Sequence, residues 1–217
     1  MGMRLLSLNV GLPREVIFQN RTVLTGIFKE PVQGKVQLRF LNLDGDRQAD
    51  LNVHGGPQKA VYVYPSEHYS YWKRELPGTD LPAGSFGENF TTEGLLENSV
   101  HIGDRFRVGS AEVVVTQPRL PCYKLGIKFG RADMVKRFAI SGRTGFYLSV
   151  AQESEVSAGD EIEPLQRDES NLTVADITRL YLFGDEDRDA MQQASQLQSL
   201  PANWRDYFRE RLSQTAM

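Results

Sequence analysis

The chain of 217 residues has one cysteine, Cys122, so it can form no internal disulfide and no multi-cysteine zinc or iron–sulfur site. Histidine is nearly as scarce. His54, His68 and His101 lie far apart, without HExxH or facial-triad spacing, which argues against zinc hydrolysis. Long apolar runs are missing too: the longest uncharged stretch, residues 190–204, is rich in Gln and Ser and too short to cross a bilayer, so no membrane association is expected. Nor is there an excess of positive charge. Against 25 Lys and Arg stand 28 Asp and Glu, a net of −3, and no nucleic-acid partner is expected from bulk electrostatics. A Gly-x-Ser-x-Gly elbow is lacking, as is the glycine spacing of Rossmann or Walker loops. Asp185-Glu186-Asp187-Arg188-Asp189 opens like an EF-hand loop, but Ala190 stands where that loop needs Gly and Gln196 where it needs Glu, so a solvated helix start accounts for it. The onset Met1-Gly2-Met3-Arg4-Leu5-Leu6 is broken by Asn9, Gly11 and Pro13 before it could serve as a signal peptide, and Leu6 occupies the Ser/Thr position of a myristoylation motif. A reduced, cytoplasmic protein is expected.

What remains is an ordinary globular composition, 40% hydrophobic and 24% charged, in a chain long enough to bury about 70% of its surface. Short β-type runs punctuated by Gly, Pro, Asn and Asp fill the first three quarters. Strands are predicted near residues 4–10, 36–40, 59–64, 100–108, 112–116, 145–150 and 161–165, with Gly109-Ser110 as a hairpin turn. Seven such strands suggest a closed or nearly closed barrel, interrupted by helical patches at 66–75 and 132–140. After Asp168 the texture turns helical. Thr173-Val174-Ala175-Asp176 is a capping box, Gly184 can end that helix, residues 185–195 read as a second, and Leu200-Pro201 opens a third with Trp204, Phe208 and Leu212 on one face.

Chemistry concentrates in three loops. The first runs from Asp46 to Pro57, where Gly55 and Gly56 let a ligand approach the backbone and His54 can donate to a phosphate; a glycine-rich turn with a solvent-facing histidine accounts for the same string. In the second, Gly84-Ser85-Phe86-Gly87-Glu88-Asn89, the Asn89 amide suits the edge of a heterocycle, although a plain loop over a buried Phe also fits. The third is Gln117-Pro118-Arg119-Leu120-Pro121-Cys122-Tyr123-Lys124. A lone cysteine is commonly a small buried hydrophobe, but Arg119 and Lys124 bracket this one, and neighbouring cations favour thiolate, the form that binds soft metals and attacks electrophiles.

These three loops together, with Ile102-Gly103-Asp104, Gly142-Arg143-Thr144-Gly145 and Val156-Ser157-Ala158-Gly159-Asp160, resemble the MOSC family, named for the C-terminal domain of molybdenum cofactor sulfurase, and within it the YiiM-type members. The resemblance implies a mainly β fold: a MOSC-type β-barrel with a few short helices over residues 1–168 and a small C-terminal three-helix domain over 169–217. It further implies that Cys122 ligates molybdenum as the catalytic residue. The remainder of a molybdopterin cofactor would then be held by donors among His54, Lys59, Arg119, Lys124, Asn89 and Arg143, with Gly55 and Gly56 beside them. The reaction implied is reduction of a small N-hydroxylated substrate, such as a hydroxylaminopurine-type base analogue, to the amine. With no flavin or nicotinamide fingerprint in the chain, a separate reductase supplies electrons. Larger members carry an added N-terminal region around the cofactor, so here a homodimer is expected to complete the enclosure. Two other readings stay open: sulfur transfer through a Cys122 persulfide, and a non-catalytic pterin- or anion-binding module.

Overall fold

Alternating Val, Leu and Phe side chains give each long strand one face that must leave water, and closing the sheet on itself buries all those faces at once. The computed structural model describes residues 2–50, 55–184 and 187–214. Its strands are β1 (Met3–Val10), β2 (Arg14–Phe18), β3 (Arg21–Thr25), β4 (Glu30–Pro31), β5 (Lys35–Leu38), β6 (Val61–Pro65), β7 (Phe90–Glu93), β8 (Arg105–Val108), β9 (Ala111–Pro118), β10 (Phe146–Gln152), β11 (Ser154–Ser157) and β12 (Glu161–Gln166). Its helices are α1 (Glu67–Glu75), α2 (Tyr123–Phe129), α3 (Met134–Ser141), α4 (Val174–Leu182), α5 (Arg188–Gln196) and α6 (Ala202–Gln214). Seven strands form a closed mixed barrel in the order β1-β12-β8-β9-β10-β6-β7, with β7 returning to β1. Every pair in it is antiparallel except β6 with β7.

The interior follows from the alternation. Val113 and Val115 of β9, Phe146 and Leu148 of β10, and Val61 and Val63 of β6 join one buried cluster. In β1 the inward residues, Leu5 and Leu8, are three apart. The period of two is rescued by a bulge: Leu5 opposes Thr92 and Ser7 opposes Thr91, leaving Leu6 unpaired and 45% exposed. The outer face of β6 is buried as well. Tyr62 and Tyr64 enter a second cluster with Trp72 of α1, Phe86, and Met134 and Phe138 of α3.

The tail helices belong to the barrel's own core. Val174, Ile177 and Leu180 of α4 and Trp204 and Phe208 of α6 sit in the same buried cluster as the strands. The Thr173 capping box forms: Asp176 N donates to Thr173 Oγ1 at 3.0 Å, and Thr173 N donates to Asp176 Oδ2 at 3.0 Å. The second helix starts later than its acidic run suggests, capped by Asp187 Oδ1, which accepts from Ala190 N at 2.9 Å.

The mainly β barrel with short helices matches expectation; some element bounds differ. Residues 36–40 were expected as a half-buried strand, but β5 ends at Leu38, where Arg39 N donates to Asn42 O at 2.8 Å in a turn that leaves Phe40 52% exposed. Residues 100–108 do not run as one strand; a turn at Ile102-Gly103 delays β8 to Arg105. The hairpin of β2 and β3, the short β11 and helix α2 carry too little apolar periodicity to be read from the sequence.

Because Phe208 is fully buried in the shared core, Phe208→Ala is expected to lower the stability of the whole molecule by about 3–5 kcal/mol. Urea unfolding followed by barrel and tail probes should show one transition moving together. A tail that melts by itself while the barrel transition stays put would contradict the shared core.

Candidate functional site

The cavity beside the cysteine is built where strands give way to loops. Strand β9 ends at Pro118, which cannot continue the ladder, and the chain turns inward so that Arg119 N donates to Gly145 O at 3.1 Å. Pro121 then precedes Cys122, whose extended backbone caps α2 and leaves its side chain half-buried. A one-turn 3₁₀ segment, Pro57–Lys59, enters from the other side, anchored by Gln58 O, which accepts from Thr116 Oγ1 at 2.7 Å and from Gln117 Nε2 at 3.2 Å. The result is a cavity of about 90 Å³ lined by Lys59, Tyr62, Arg119, Cys122, Lys124 and Tyr147, with residues 25–27 and 46–49 forming the opposite wall.

Arg119 is the electrostatic centre. Its side chain is 5% exposed, its guanidinium lies 4.7 Å from the Tyr62 ring centre and 5.1 Å from that of Phe138, and Nη1 is buried with no hydrogen-bond partner among the described residues. Burial works against its charge, but the facing Tyr62, Tyr147 and Cys122 more than offset this and hold it above the usual arginine value. Burial pushes the Tyr62 and Tyr147 phenols up, opposed by the Arg119 charge, so both rings stay neutral at physiological pH. Tyr62 spends its hydroxyl on Thr144 O at 2.8 Å. Burial also pulls the Lys59 ammonium below its usual value.

The opposite wall is braced from below. Asp46 is buried and accepts from Lys29 Nζ, from Gly11 N at 2.9 Å and from Asn89 Nδ2 at 2.9 Å. Desolvation lowers the Lys29 pKa, and Asp46 opposes that. The neighbouring loop is pinned by fully buried Glu88, which accepts from Tyr69 Oη, from Gly84 N at 2.8 Å and from Phe86 N at 3.0 Å. Burial raises the Glu88 pKa. Glycine is needed at position 87: φ is +84° and a Cβ would meet Ile27 Cγ1 at 2.8 Å.

Lys59, Asn89, Arg119, Cys122 and Lys124, five of the residues singled out from sequence, come together at this cavity. Asn89, however, acts as a brace. Its Oδ1 accepts from Tyr62 N at 3.1 Å while both Nδ2 protons go to Asn9 O at 3.2 Å and Asp46 Oδ2, leaving no donor for a heterocycle. Arg143 faces elsewhere. Its carbonyl accepts from Tyr64 Oη at 3.1 Å, and its side chain leaves on the far side to lie over Tyr71 at 4.4 Å in a second cleft with His68 and Glu97. Gly56 opens the Lys59 turn with φ +93° and, like Gly55, does not line the cavity. His54 lies outside the described residues. Sequence reading missed Lys29 with Asp46, and Tyr62 with Tyr147; only the two apolar alternations of β6 and β10 hinted that a tyrosine face existed.

A partly exposed thiol, a buried guanidinium with one nitrogen unpartnered among the described residues, and two lysines thus meet at one cavity of a seven-stranded barrel. Comparison with known proteins places that barrel in a family. The MOSC domain matches residues 50–163 and the YiiM-like, 3-alpha helix domain matches residues 172–215, and the chain belongs to the MOSC family. It is 38% identical over 192 residues to Protein YiiM of Escherichia coli (strain K12), covering 87% of this chain and 85% of that one. A protein of Gibberella moniliformis named Reductase is 30% identical over 178 residues, 81% of this chain but 32% of that protein. The crystal structure of YiiM from Geobacillus stearothermophilus superposes with a TM-score of 0.81 at 35% identity, covering 97% of this chain and 99% of that one. Among the described residues no helix is long and apolar enough to cross a membrane.

Two outcomes follow from the charges. Asp46→Ala strands the buried Lys29 ammonium and is expected to cost about 3–5 kcal/mol in urea unfolding. Lys29→Met/Asp46→Ala should recover the part due to the stranded charge and leave the loss from the unpaired Gly11 N and Asn89 Nδ2. Only protonated Lys59 pairs with an anion, so pyrophosphate binding measured by calorimetry should weaken as pH rises through its lowered pKa. In Lys59→Met that pH dependence should vanish.

Proposed function

We propose that this MOSC-family protein is an oxidoreductase that binds molybdenum cofactor in the Cys122 cavity and reduces N-hydroxylated compounds, hydroxylaminopurine-type base analogues among them, to amines. The observation that carries the reading is Arg119, which lines the same cavity as the half-buried Cys122 and has a buried Nη1 without a partner among the described residues. A desolvated guanidinium with an unused donor asks for an anion, and molybdenum cofactor brings phosphate oxygens and a soft metal in one molecule. The residues present fit that group. Cys122 would be the protein ligand to the metal, and Arg119, Lys59 and Lys124 would hold its anionic part. Bound there, the cofactor supplies two-electron exchange.

The chain's residues do the rest. Tyr62 and Tyr147, with ring centres 5.5 Å apart, give the cavity a neutral aromatic wall suited to a flat heterocycle. The three cations favour an electron-rich N–OH oxygen and the charge it gathers as the bond to nitrogen breaks. The overall change is R–NHOH plus two electrons and two protons to R–NH₂ and water. The electrons come from a separate reductase, and the fungal relative named Reductase supports the reductive direction.

The test is elemental. Protein made in a molybdate-replete host should carry molybdenum by mass spectrometry, and Cys122→Ser should lose it, together with hydroxylaminopurine resistance in a sensitised host, at an unchanged melting temperature. Full resistance from the serine variant would remove the ligand role. Wild-type protein with one extra sulfur on Cys122 and no molybdenum would point to sulfur transfer instead.

A further inference from the structure

We infer that the rim of the Cys122 cavity is a docking face for an acidic electron-transfer protein. The inference rests on the reductase reading above, because a chain that reduces its substrate without a flavin or nicotinamide site of its own must meet the protein that delivers electrons. Among the segments that line the cavity are those around residues 25–27, 46–49 and 122–124. Their extensions carry an unusual share of exposed apolar surface. Ten large hydrophobic side chains are exposed among the described residues, and six of them, Leu12, Ile17, Leu24, Phe40, Leu41 and Tyr123, belong to these extensions. Ile17 is 83% exposed. It sits on the β2–β3 hairpin, a two-stranded sheet with no third strand, which runs directly into the cavity wall at Thr25. From Thr25 to Arg21 the ribbon spans about 13 Å. A ribbon of two strands is only marginally stable alone, and an apolar face held out beside a cavity fits a partner surface.

Charge selects the partner. On the same segments Arg14, Arg21, Arg47, Lys124 and Lys128 form no ion pair among the described residues, while Asp44 and Asp46 are engaged by Arg39 and Lys29. Glu15, Glu30 and Asp50 are the other carboxylates on these segments among the described residues, three against five cations. The rim is therefore cationic on a chain whose net charge is −3. Arg14 and Lys128 also flank one ring, Phe28, at 3.8 Å and 5.0 Å, which fixes two of the charges beside the cavity. On the ribbon, Ile17 and Leu24 share one face with Glu15, and the two arginines lie on the other. A partner that grips the ribbon therefore meets apolar anchors on one side and cations on the other, and complementary charge calls for an acidic partner. A polyphosphate backbone would make no use of Ile17 or Phe40.

The experiment uses molybdenum-loaded protein reducing 6-hydroxylaminopurine with two reductants: methyl viologen reduced by dithionite, which needs no docking, and an acidic flavodoxin kept reduced by its reductase. Ile17→Glu and Arg21→Glu lie outside the cavity. Each is expected to raise the KM for flavodoxin at least tenfold while leaving molybdenum content and viologen-driven turnover as in wild type. Raising salt should slow the wild-type flavodoxin reaction and not the viologen reaction. An unchanged flavodoxin KM in both variants overturns the proposal, as does viologen turnover without any flavodoxin turnover. If neither reductant supports turnover, the reductase reading fails, and the face is judged by calorimetric titration of flavodoxin: binding lost in Ile17→Glu supports it and no binding to wild type overturns it. A wild-type dimer in sedimentation that Ile17→Glu dissociates assigns the face to a second copy and overturns it too.

Discussion

Strand β6 is buried on both sides, and the rest of the molecule is arranged around that constraint. Val61 and Val63 must reach the barrel interior, and Tyr62 and Tyr64, pointing the other way, must be covered by something else. The cover is α1, α3 and the Phe86 loop, whose rings pack against the tyrosines at centre separations such as 4.5 Å for Tyr64 with Phe86. Once that aromatic layer is in place, the ground beneath Arg119 is apolar, and a guanidinium settled on it has lost its water. The site is thus a by-product of a strand with two dry faces.

Buried ionisable side chains among the described residues divide into two kinds. Lys29 with Asp46 and His68 with Glu97 are settled internally, each with a partner and further hydrogen bonds from the backbone, so they hold loops in place and ask for nothing. Arg119 differs. The Nε atoms of Arg105, Arg137 and Arg205 are also unanswered, but those half-buried guanidiniums bond a carboxylate or carbonyl through another nitrogen. Arg119 is a buried side chain stacked on rings with Nη1 unanswered. A desolvated donor left open is costly, and a protein retains such a feature where a ligand completes it. That contrast separates a binding pocket from a structural ion pair more sharply than the number of cations does.

Much of this was legible in the chain before any coordinates. Strands β6, β9 and β10 announce themselves because one face of each is apolar at every second residue, and the Thr173 box announces α4 because its two hydrogen bonds depend on residues three apart. Lys59, Arg119 and Lys124 line the cavity with Cys122, and loop cations beside a cysteine are visible in one dimension. The orientations of Arg143 and Asn89 are not, for a three-dimensional reason. A side chain's sense of direction comes from what its backbone neighbours need, and Tyr64 and Tyr62 claim the backbone of the one and the amide of the other. The β2–β3 hairpin stayed hidden because it buries almost nothing, and burial is what writes periodicity into a sequence.

The last helix has a reach that its position at the far end of the chain does not suggest. Trp204 Nε1 donates to Gln117 Oε1 at 2.7 Å, and the same glutamine holds Gln58 O, one residue from Lys59. The second hold on that turn is therefore finished only after an indole 87 residues beyond Gln117 has arrived. A chain that has its barrel but not yet this indole keeps the Thr116 bond as a settled hold on the Lys59 turn, with Gln117 free to swing. Truncation just before residue 204 therefore reaches the Lys59 turn without removing any residue that lines the cavity.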